Sequence, residues 1–173
     1  RGTNSIANKS VEPIAALRLT SSLGCNFPHH STFIETIHME EFEHVAKRLQ
    51  QDKKVVFTAQ SCKNFHQRML ICKHAFEQGA VPVNPFNLFG YFLYELVDRD
   101  LVRSGNNNLL RRCDELWVYG EISDGVLAEI QMFKDSKKPV RFFDISNLPA
   151  EVKEISKNDL IFEDNVKQHK GAI

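Results

Sequence analysis

The chain has 173 residues, of which 42% are hydrophobic and 25% charged, and its 22 basic residues balance its 22 acidic ones. This composition predicts one globular domain with a real core, and the zero net charge gives no field that favours nucleic acid or an anionic membrane as a partner. The apolar runs are too short for a transmembrane helix, and no signal peptide is visible, so we expect a cytoplasmic protein. The four cysteines form no C-x-x-C pair, and we expect them to be reduced thiols.

The N-terminal part of the chain shows little periodicity up to residue 33. Apolar residues then recur at i, i+3, i+4 and i+7, which predicts a helix over residues 36–51. These positions are Phe42, Val45, Ala46 and Leu49. We expect residues 1–52 to form an N-terminal extension with this one helix. His29 and His30 have no acidic or cysteine partner at ligand spacing, so the sequence predicts no metal site and no cofactor.

A polar loop follows the first predicted strand, residues 55–59. In this loop Gln60, Ser61 and Lys63 supply hydrogen-bond donors close to the start of a helix, where anions bind readily. An ordinary polar loop explains the same residues equally well. The chain has no G-x-G-x-x-G fingerprint and no Walker sequence, so a dinucleotide site or a P-loop is not supported.

The helix after this loop is predicted to be capped by Asn64, with Gln67 three residues later as in a capping box. Its predicted end is Gly79, because glycine favours the position after a helix. An apolar stripe at helical spacing runs along it. The stripe consists of Phe65, Met69, Cys72 and Phe76.

An aromatic segment, residues 87–100, follows the second predicted strand at residues 80–84. We predict that this segment is a helix or a lid. Aromatic residues at this density are more often core than ligand platform. Ser104 and Gly105 are predicted to interrupt the secondary structure, and a short helix is predicted over residues 109–112.

Residues 114–143 have the pattern of a strand, a loop, a helix and a second strand, which is the βαβ unit of a parallel sheet. The strands are predicted at residues 115–119 and 139–143, and the loop contains Ser123, Asp124 and Gly125. The helix is recognised by Val126, Leu127, Ile130 and Phe133 at helical spacing. In parallel sheets ligands bind at the carboxyl ends of the strands, where this loop is expected to lie.

Glu129 is the candidate reactive residue of this unit. It lies four residues after Gly125, so both are expected on one face of the helix, one turn apart. Because Gly125 has no side chain, a ligand above the loop could reach the carboxylate. The helix N-terminus favours negative charge, so we expect Glu129 to be ionised and able to act as a nucleophile or base. The alternative is a solvated helix glutamate without a function.

The C-terminal part of the chain, residues 151–173, is expected to pack on the same domain. A short helix is predicted over residues 148–156 and a final edge strand over residues 160–162. Residues 163–173 are polar, and we expect them to be frayed.

The motif Ser123-x-Gly125-x-x-x-Glu129, between an apolar strand and a Lys-Pro-Val strand, resembles the signature of the nucleoside 2-deoxyribosyltransferase-like superfamily. That superfamily includes the deoxynucleoside monophosphate N-glycosidases. The resemblance covers roughly residues 54–145 and is clearest over residues 113–141. It implies that Glu129 attacks the anomeric carbon of a nucleoside sugar, and that Ser123 contacts a nucleotide phosphate.

The same resemblance implies roles for residues outside the motif. The loop residues Gln60, Ser61 and Lys63 would bind sugar or phosphate oxygens. An aromatic residue of the segment after the second strand would stack on the base; the candidates are Phe89, Tyr91 and Tyr94. No metal is implied, and the superfamily commonly assembles as dimers or larger homo-oligomers.

One position departs from the superfamily pattern. Where the hydrolases carry a catalytic aspartate, this sequence has Asn106 or, in a shifted alignment, Asn107. An asparagine can hydrogen-bond a sugar hydroxyl, but it cannot act as a general acid or base. Asp98 or Asp100 would replace the aspartate if the loop folds back, and Asp124 is a further candidate to protonate the departing base.

Four predicted strands alternate with helices, which predicts an α/β fold with a parallel sheet. The resemblance refines this to a doubly wound, flavodoxin-like or Rossmann-like three-layer sandwich, with residues 53–150 as the deoxyribosyltransferase-like domain. The expected function is hydrolysis or transfer at the N-glycosidic bond of a nucleoside or nucleotide. The alternatives are a nucleotide-binding or sensing module without turnover, and a scaffold of the same fold.

Overall fold

The structure, a computed structural model, describes residues 43–90 and 96–173. The predictions for the N-terminal residues up to Phe42, and those for Tyr91 and Tyr94, lie outside the described residues. The chain divides into two units, Arg1–Glu43 and His44–Ile173, and the elements below belong to the second unit.

Five strands form one sheet in the order β2-β1-β3-β4-β5. Neighbouring strands are parallel from β2 to β4, and β5 is antiparallel to β4. The strands are β1 (Val55–Gln60), β2 (Val81–Val83), β3 (Glu115–Tyr119), β4 (Val140–Asp144) and β5 (Lys153–Ile155). The predicted α/β class is confirmed, and the four predicted strands occur at the predicted places and are parallel. The sheet is mostly and not wholly parallel, because the fifth strand, β5, is antiparallel to β4.

Helices and 3₁₀ segments connect the strands. The α-helices are α1 (Val45–Arg48), α2 (Arg68–Glu77), α3 (Pro85–Leu88), α4 (Arg99–Arg112) and α5 (Asp124–Asp135). The 3₁₀ segments are Cys62–Gln67, Lys157–Asp159 and Asp164–Ala172. In the described part of the chain, no helix has the length and apolar character that a membrane crossing requires.

The sheet has a hydrophobic cluster on each face, because successive side chains of a strand point to opposite sides. On one face Phe57 and Leu116 pack in the same cluster as Val126 and Ile130 of α5. On the other face Val56, Trp117 and Tyr119 cluster with α2; the residues of α2 in this cluster are Ile71 and Ala75. The β-strands are therefore buried between layers that carry α5 and α2.

Helix α4 corrects the prediction of a break at Ser104 and Gly105, because it continues through both residues. Asp98 caps its first turn by accepting hydrogen bonds from the backbone N–H groups of Asp100 and Leu101. Val102 and Leu110 anchor the helix in the core. These tertiary contacts outweigh the low helix propensity of the Ser-Gly-Asn stretch.

The start and the buried face of α2 also differ from the prediction. Asn64 is not the cap: Ser61 Oγ accepts a hydrogen bond from the backbone N–H of Lys63 at 3.3 Å, which starts a 3₁₀ turn, and α2 begins at Arg68. The predicted apolar stripe is not the buried face, since Met69 and Phe76 are more than half exposed. The predicted end is confirmed by the positive φ of Gly79, 79°.

The C-terminal predictions need correction too. The predicted helix over residues 148–156 is a turn followed by β5. The predicted edge strand over residues 160–162 is only an isolated bridge between Phe162 and Ile122. Residues 164–172 form a 3₁₀ helix instead of a frayed end, because Val166 is buried in the core cluster together with Leu160 and Phe162.

Candidate functional site

A cavity of about 460 Å³ lies at the carboxyl ends of β1, β2 and β3. It is lined by Gln60, Cys62, Pro85, Phe86, Arg99, Arg103, Asn106, Ser123, Asp124, Gly125, Val126 and Glu129. The volume is in the range of small-molecule sites, and the lining combines an apolar wall with a few polar groups.

The strand order explains why the cavity forms here. Strand β2 follows β1 in the chain and pairs with one edge of β1. Strand β3 then pairs with the opposite edge of β1. At such a reversal, the connections that leave two neighbouring strands diverge and open a crevice. Gln60 ends β1, and α5 starts five residues after the end of β3, at Asp124. The two loops therefore form opposite walls of the crevice.

Glu129 lies in this cavity, on the second turn of α5. Its Oε1 accepts a hydrogen bond from Nδ2 of Asn106 at 3.0 Å, so α4 and α5 are joined across the site. The structure thus brings together two of the three predicted catalytic residues, and Asp124 of the same lining is the third.

Burial raises the pKa of Glu129 to about 7, and the hydrogen bond from Asn106 only partly opposes this. Glu129 as a whole residue is half-buried, but the protein around its carboxyl group replaces most of the water that would stabilise the charge. The expectation that the helix N-terminus keeps Glu129 ionised is therefore met only in part. At neutral pH the group is divided between its acid and its base form.

Asn106 also presents an unpaired atom. Its Oδ1 is buried and accepts no hydrogen bond from any described residue. A buried carbonyl oxygen without a donor costs free energy, and such atoms occur most often where a ligand or a proton shift supplies the partner. In Asn106, Nδ2 therefore donates to Glu129, and Oδ1 remains available to accept a hydrogen bond.

The start of α5 supplies further polar groups to the cavity lining. Ser123 Oγ accepts a hydrogen bond from the backbone N–H of Val126 at 3.4 Å, which caps the helix. Asp124 Oδ1 accepts one from the backbone N–H of Gly125 at 2.8 Å. A Cβ on Gly125 would meet no atom within 4 Å, so this side of the cavity is open space. All three residues lie in the lining, as the sequence predicted for a ligand site.

Gln60, a buried residue of the cavity lining, has both ends of its amide paired. Its Nε2 donates to the carbonyl of Asn64 at 2.7 Å, and its Oε1 accepts from Nδ2 of Asn84 at 3.1 Å. Asn84 is almost fully buried, and its Oδ1 caps α3 by accepting from the backbone N–H of Phe86. Sequence reasoning missed Asn84, although an asparagine directly before a proline is a common helix cap.

Ser61 and Lys63, predicted to bind the substrate, are outside the lining and contact another partner. Ser61 donates its hydroxyl proton to Oε1 of Glu163, and Lys63 Nζ lies 3.2 Å from Oε2 of the same carboxylate. Ser61 is 2% exposed. The polar loop after β1 therefore anchors the C-terminal segment in this structure.

Two arginines that the sequence did not single out line the cavity. Arg99, Arg103 and Asn106 follow at i, i+4 and i+7, so they share one face of α4. The predicted break at Ser104 and Gly105 hid this spacing. The aspartates considered as substitutes for Asn106 are not in the lining: Asp98 caps the helix, and Asp100 pairs with Arg103 at 2.9 Å.

The remaining lining is apolar or unreactive. Pro85 and Phe86 form one wall, and the ring of Phe65 meets Phe86 edge-on at 5.4 Å. Burial and the nearby Asp124 raise the pKa of the Cys62 thiol, so this cysteine is a poor nucleophile at neutral pH. No group of three potential metal ligands occurs within residues 43–90 and 96–173.

A family model described as "Domain of unknown function (DUF7768)" matches residues 56–143. Every residue of the cavity lining falls within this range. No curated protein matches the chain.

Proposed function

Because the chain belongs to the DUF7768 family, whose description gives no activity, we propose a function from the cavity itself: cleavage of the N-glycosidic bond of a nucleoside or nucleotide, with Glu129 as the nucleophile. One observation carries the proposal. The carboxyl group of Glu129 lies in a cavity of ligand size, one turn below the open space at Gly125, and Asn106 holds it in place.

The proposed reaction has two steps. The ionised carboxylate of Glu129 attacks the anomeric carbon, the bond to the base breaks, and the base leaves with the bonding electron pair and takes up a proton. Water then attacks the same carbon and gives a proton to the group that protonated the base. The bond between the carbon and Glu129 breaks, which releases the sugar and restores the carboxylate. A second base in place of water would give transfer instead of hydrolysis.

Other residues of the lining support this reaction. Asp124 is the proposed proton source for the departing base, because it is the second carboxyl group of the cavity. Asn106 positions Glu129, and its unpaired Oδ1 can accept a hydrogen bond from a sugar hydroxyl. Pro85 and Phe86 supply the flat apolar wall against which a base can pack.

For the fold, we propose the doubly wound, flavodoxin-like or Rossmann-like sandwich that the resemblance implies. The strand order 2-1-3-4-5 is the flavodoxin-like order. Core clusters on both faces of the sheet, one with α2 and one with α5, agree with three layers. The cavity at the β1–β3 reversal lies where such folds bind ligands.

The test is release of free base, followed by chromatography, from a panel of nucleosides, nucleoside monophosphates and NAD. We expect release by the parent protein and a loss of about 10³-fold or more in Glu129→Gln, because the amide cannot act as a nucleophile. Glu151→Gln, which changes a surface glutamate in the same way, serves as the control. Full activity in Glu129→Gln would contradict the proposal.

The covalent intermediate gives a second readout. Acid quenching during turnover, followed by mass spectrometry, is expected to show a glycosyl group on the peptide that contains Glu129. The adduct must be absent from Glu129→Gln. Base release without any adduct in the parent would point to direct attack by water and would remove the nucleophile role.

A second candidate function, a nucleotide-binding module without turnover, has one observation in its favour. The resemblance implies that Asn106 stands where the hydrolases carry an aspartate. In the structure its amide contacts Glu129, and an amide cannot replace an acid or base. This alternative predicts saturable binding with no base release. A ligand at a hundred times its dissociation constant adds roughly 2.7 kcal/mol to the free energy of unfolding. A scaffold of the same fold would show neither effect.

A further inference from the structure

Arg99 and Arg103 add a positive wall to the cavity, and neither has a role in the proposed bond cleavage. Both side chains line the cavity from α4, one turn apart on the face that also carries Asn106. At a rise of 1.5 Å per residue, the Cα atoms of Arg103 and Arg99 lie about 5 Å and about 10 Å from that of Asn106 along the helix axis. The positive groups are therefore displaced from the carboxyl group of Glu129 toward one end of the cavity.

The acidic groups near these arginines do not neutralise them. Arg99 forms no ion pair or hydrogen bond with any described residue. Arg103 pairs with Asp100 of the same helix at 2.9 Å, but both side chains are mostly exposed. Exposed pairs of this kind contribute little and exchange readily. The other nearby carboxylate, Asp98, is engaged with backbone N–H groups at the start of α4.

The two carboxyl groups of the lining belong to α5, not to α4, which carries the arginines. Glu129 is held by Asn106, and Asp124 accepts from the backbone of Gly125, both on α5. The causes that shift the pKa of Glu129 are burial and Asn106, with no contribution from either arginine. The cavity thus has a carboxyl region on α5 and a guanidinium region on α4.

We infer that the substrate is a nucleoside phosphate and that Arg99 and Arg103 bind its phosphate group. A guanidinium group donates paired hydrogen bonds that match phosphate oxygens, and two of them on one helix face fit a single dianion better than any neutral group. The inference names the substrate class of the cavity and rests on the proposed function for the sugar and base. It assigns the phosphate to α4, in addition to the contact with Ser123 that the resemblance implies.

The experiment is isothermal titration calorimetry of the full chain with nucleosides of the common bases, their 5′-monophosphates, and inorganic phosphate. We expect at least one monophosphate to bind roughly tenfold or more tightly than its nucleoside, the effect of a charge-assisted hydrogen bond. Arg99→Gln and Arg103→Gln are each expected to weaken monophosphate binding by a similar factor and to leave nucleoside binding within about twofold. Arg111→Gln, which removes an arginine of α4 outside the lining, is the matched control.

Three results would overturn the inference: nucleosides that bind as tightly as their monophosphates, monophosphate binding that is unaffected in the Arg99→Gln, Arg103→Gln double variant, and no binding by any probe. Inorganic phosphate that binds as tightly as the monophosphates, with the same dependence on the arginines, would indicate a free-phosphate site and would also overturn it. Circular dichroism of each variant confirms that it is folded.

Base release, measured in parallel, separates this inference from the proposed function. Release from nucleosides at the same rate as from monophosphates, unchanged in both arginine variants, would retain the glycosidase and remove the phosphate site. Arginine-dependent binding of monophosphates without release of any base would retain the phosphate site and remove the glycosidase.

Discussion

Asn106 Nδ2 and Glu129 Oε1 are 3.0 Å apart, and this hydrogen bond joins α4 to α5 across the cavity. The bond favours the charged carboxylate, whereas burial favours the neutral acid, and burial is the larger effect. The resulting pKa of about 7 means that Glu129 exchanges its proton in the physiological range. Both the stability and the proposed activity of the protein should therefore depend on pH through this one group.

The first prediction concerns stability. The pKa of Glu129 rises from 4.5 to about 7 on folding, so the folded state binds more protons than the unfolded state between these values. The free energy of unfolding must then fall as the pH rises through this window. A shift of this size corresponds to at most about 3 kcal/mol. Glu129→Gln removes the effect and should be more stable than the parent at pH 8, by an amount that shrinks toward pH 4.5.

Urea unfolding at pH 5 and pH 8 measures this difference. Glu151→Gln is the control, because this exposed glutamate has no partner among the side chains described and the same chemical change there should leave the pH dependence as in the parent. Equal pH dependence of the parent and Glu129→Gln would show that the carboxyl group is not buried as the structure describes.

The second prediction concerns Asn106. Asn106→Asp places a second carboxyl group within hydrogen-bond distance of Glu129, and two such groups cannot both ionise easily. The pair should titrate as a unit with its upper apparent pKa raised by about one unit or more. Asn106→Ala should also raise the pKa of Glu129, since it removes the bond that favours the charged form.

Carbon-detected NMR of the glutamate carboxyl groups can follow this titration, and the pH profile of base release gives an independent measure. Asn108→Asp on the exposed side of α4 is the matched control and should leave the Glu129 titration unchanged. A lower apparent pKa in Asn106→Asp would mean that the two side chains are not in contact.

The third prediction concerns the anchor of the C-terminal segment. Glu163 Oε1 accepts a hydrogen bond from the hydroxyl of the buried Ser61, and Oε2 pairs with Lys63 Nζ at 3.2 Å. Glu163→Ala leaves that hydroxyl without its acceptor and should lower the free energy of unfolding by about 2 kcal/mol. Asp164→Asn, the neighbouring carboxylate on the surface, should have almost no effect.

Chemical denaturation of the three proteins tests this prediction. An unfolding free energy equal to that of the parent would mean that the contacts of Glu163 with Ser61 and Lys63 do not stabilise the domain.

The sequence predicts the sheet well, because buried parallel strands are short apolar runs with strong local signals. Such runs occur in β1, β3 and β4, and the predicted strands contain a residue of each: Val55, Leu116 and Val140. The sequence also places Glu129 near Gly125 correctly, since helical spacing alone determines that relationship. These features need no information from distant parts of the chain.

The features that the sequence could not provide depend on tertiary contacts. Helix α4 crosses Ser104 and Gly105 because Val102 and Leu110 are buried, and a local pattern does not contain that information. The break assumed at this point concealed Arg103 on the cavity face. The proton state of Glu129 follows from burial by the assembled fold, which outweighs the helix N-terminus. Glu163 reaches Ser61 across about a hundred residues of sequence.

The last prediction compares Gly120, which is outside the cavity lining, with Gly125, which belongs to it. Gly120 follows β3 with φ of 74°, and a Cβ there would lie 2.9 Å from Asn64 Nδ2 and 3.0 Å from Ile145 Cδ1. Gly120→Ala should therefore lower the free energy of unfolding by about 2 kcal/mol, from backbone strain and crowding together. Gly125 has no left-handed φ and open space around it, so Gly125→Ala should keep the stability of the parent or raise it by up to about 1 kcal/mol.

The two variants should have opposite effects on ligand binding. The methyl group of Gly125→Ala projects into space that the proposed ligand occupies above Glu129, so affinity should fall although the fold is intact. Gly120→Ala should affect affinity only through its lower stability. Thermal unfolding with and without a nucleoside monophosphate measures both quantities in one experiment. A ligand-induced shift of the same size in Gly125→Ala as in the parent would place the ligand elsewhere in the cavity.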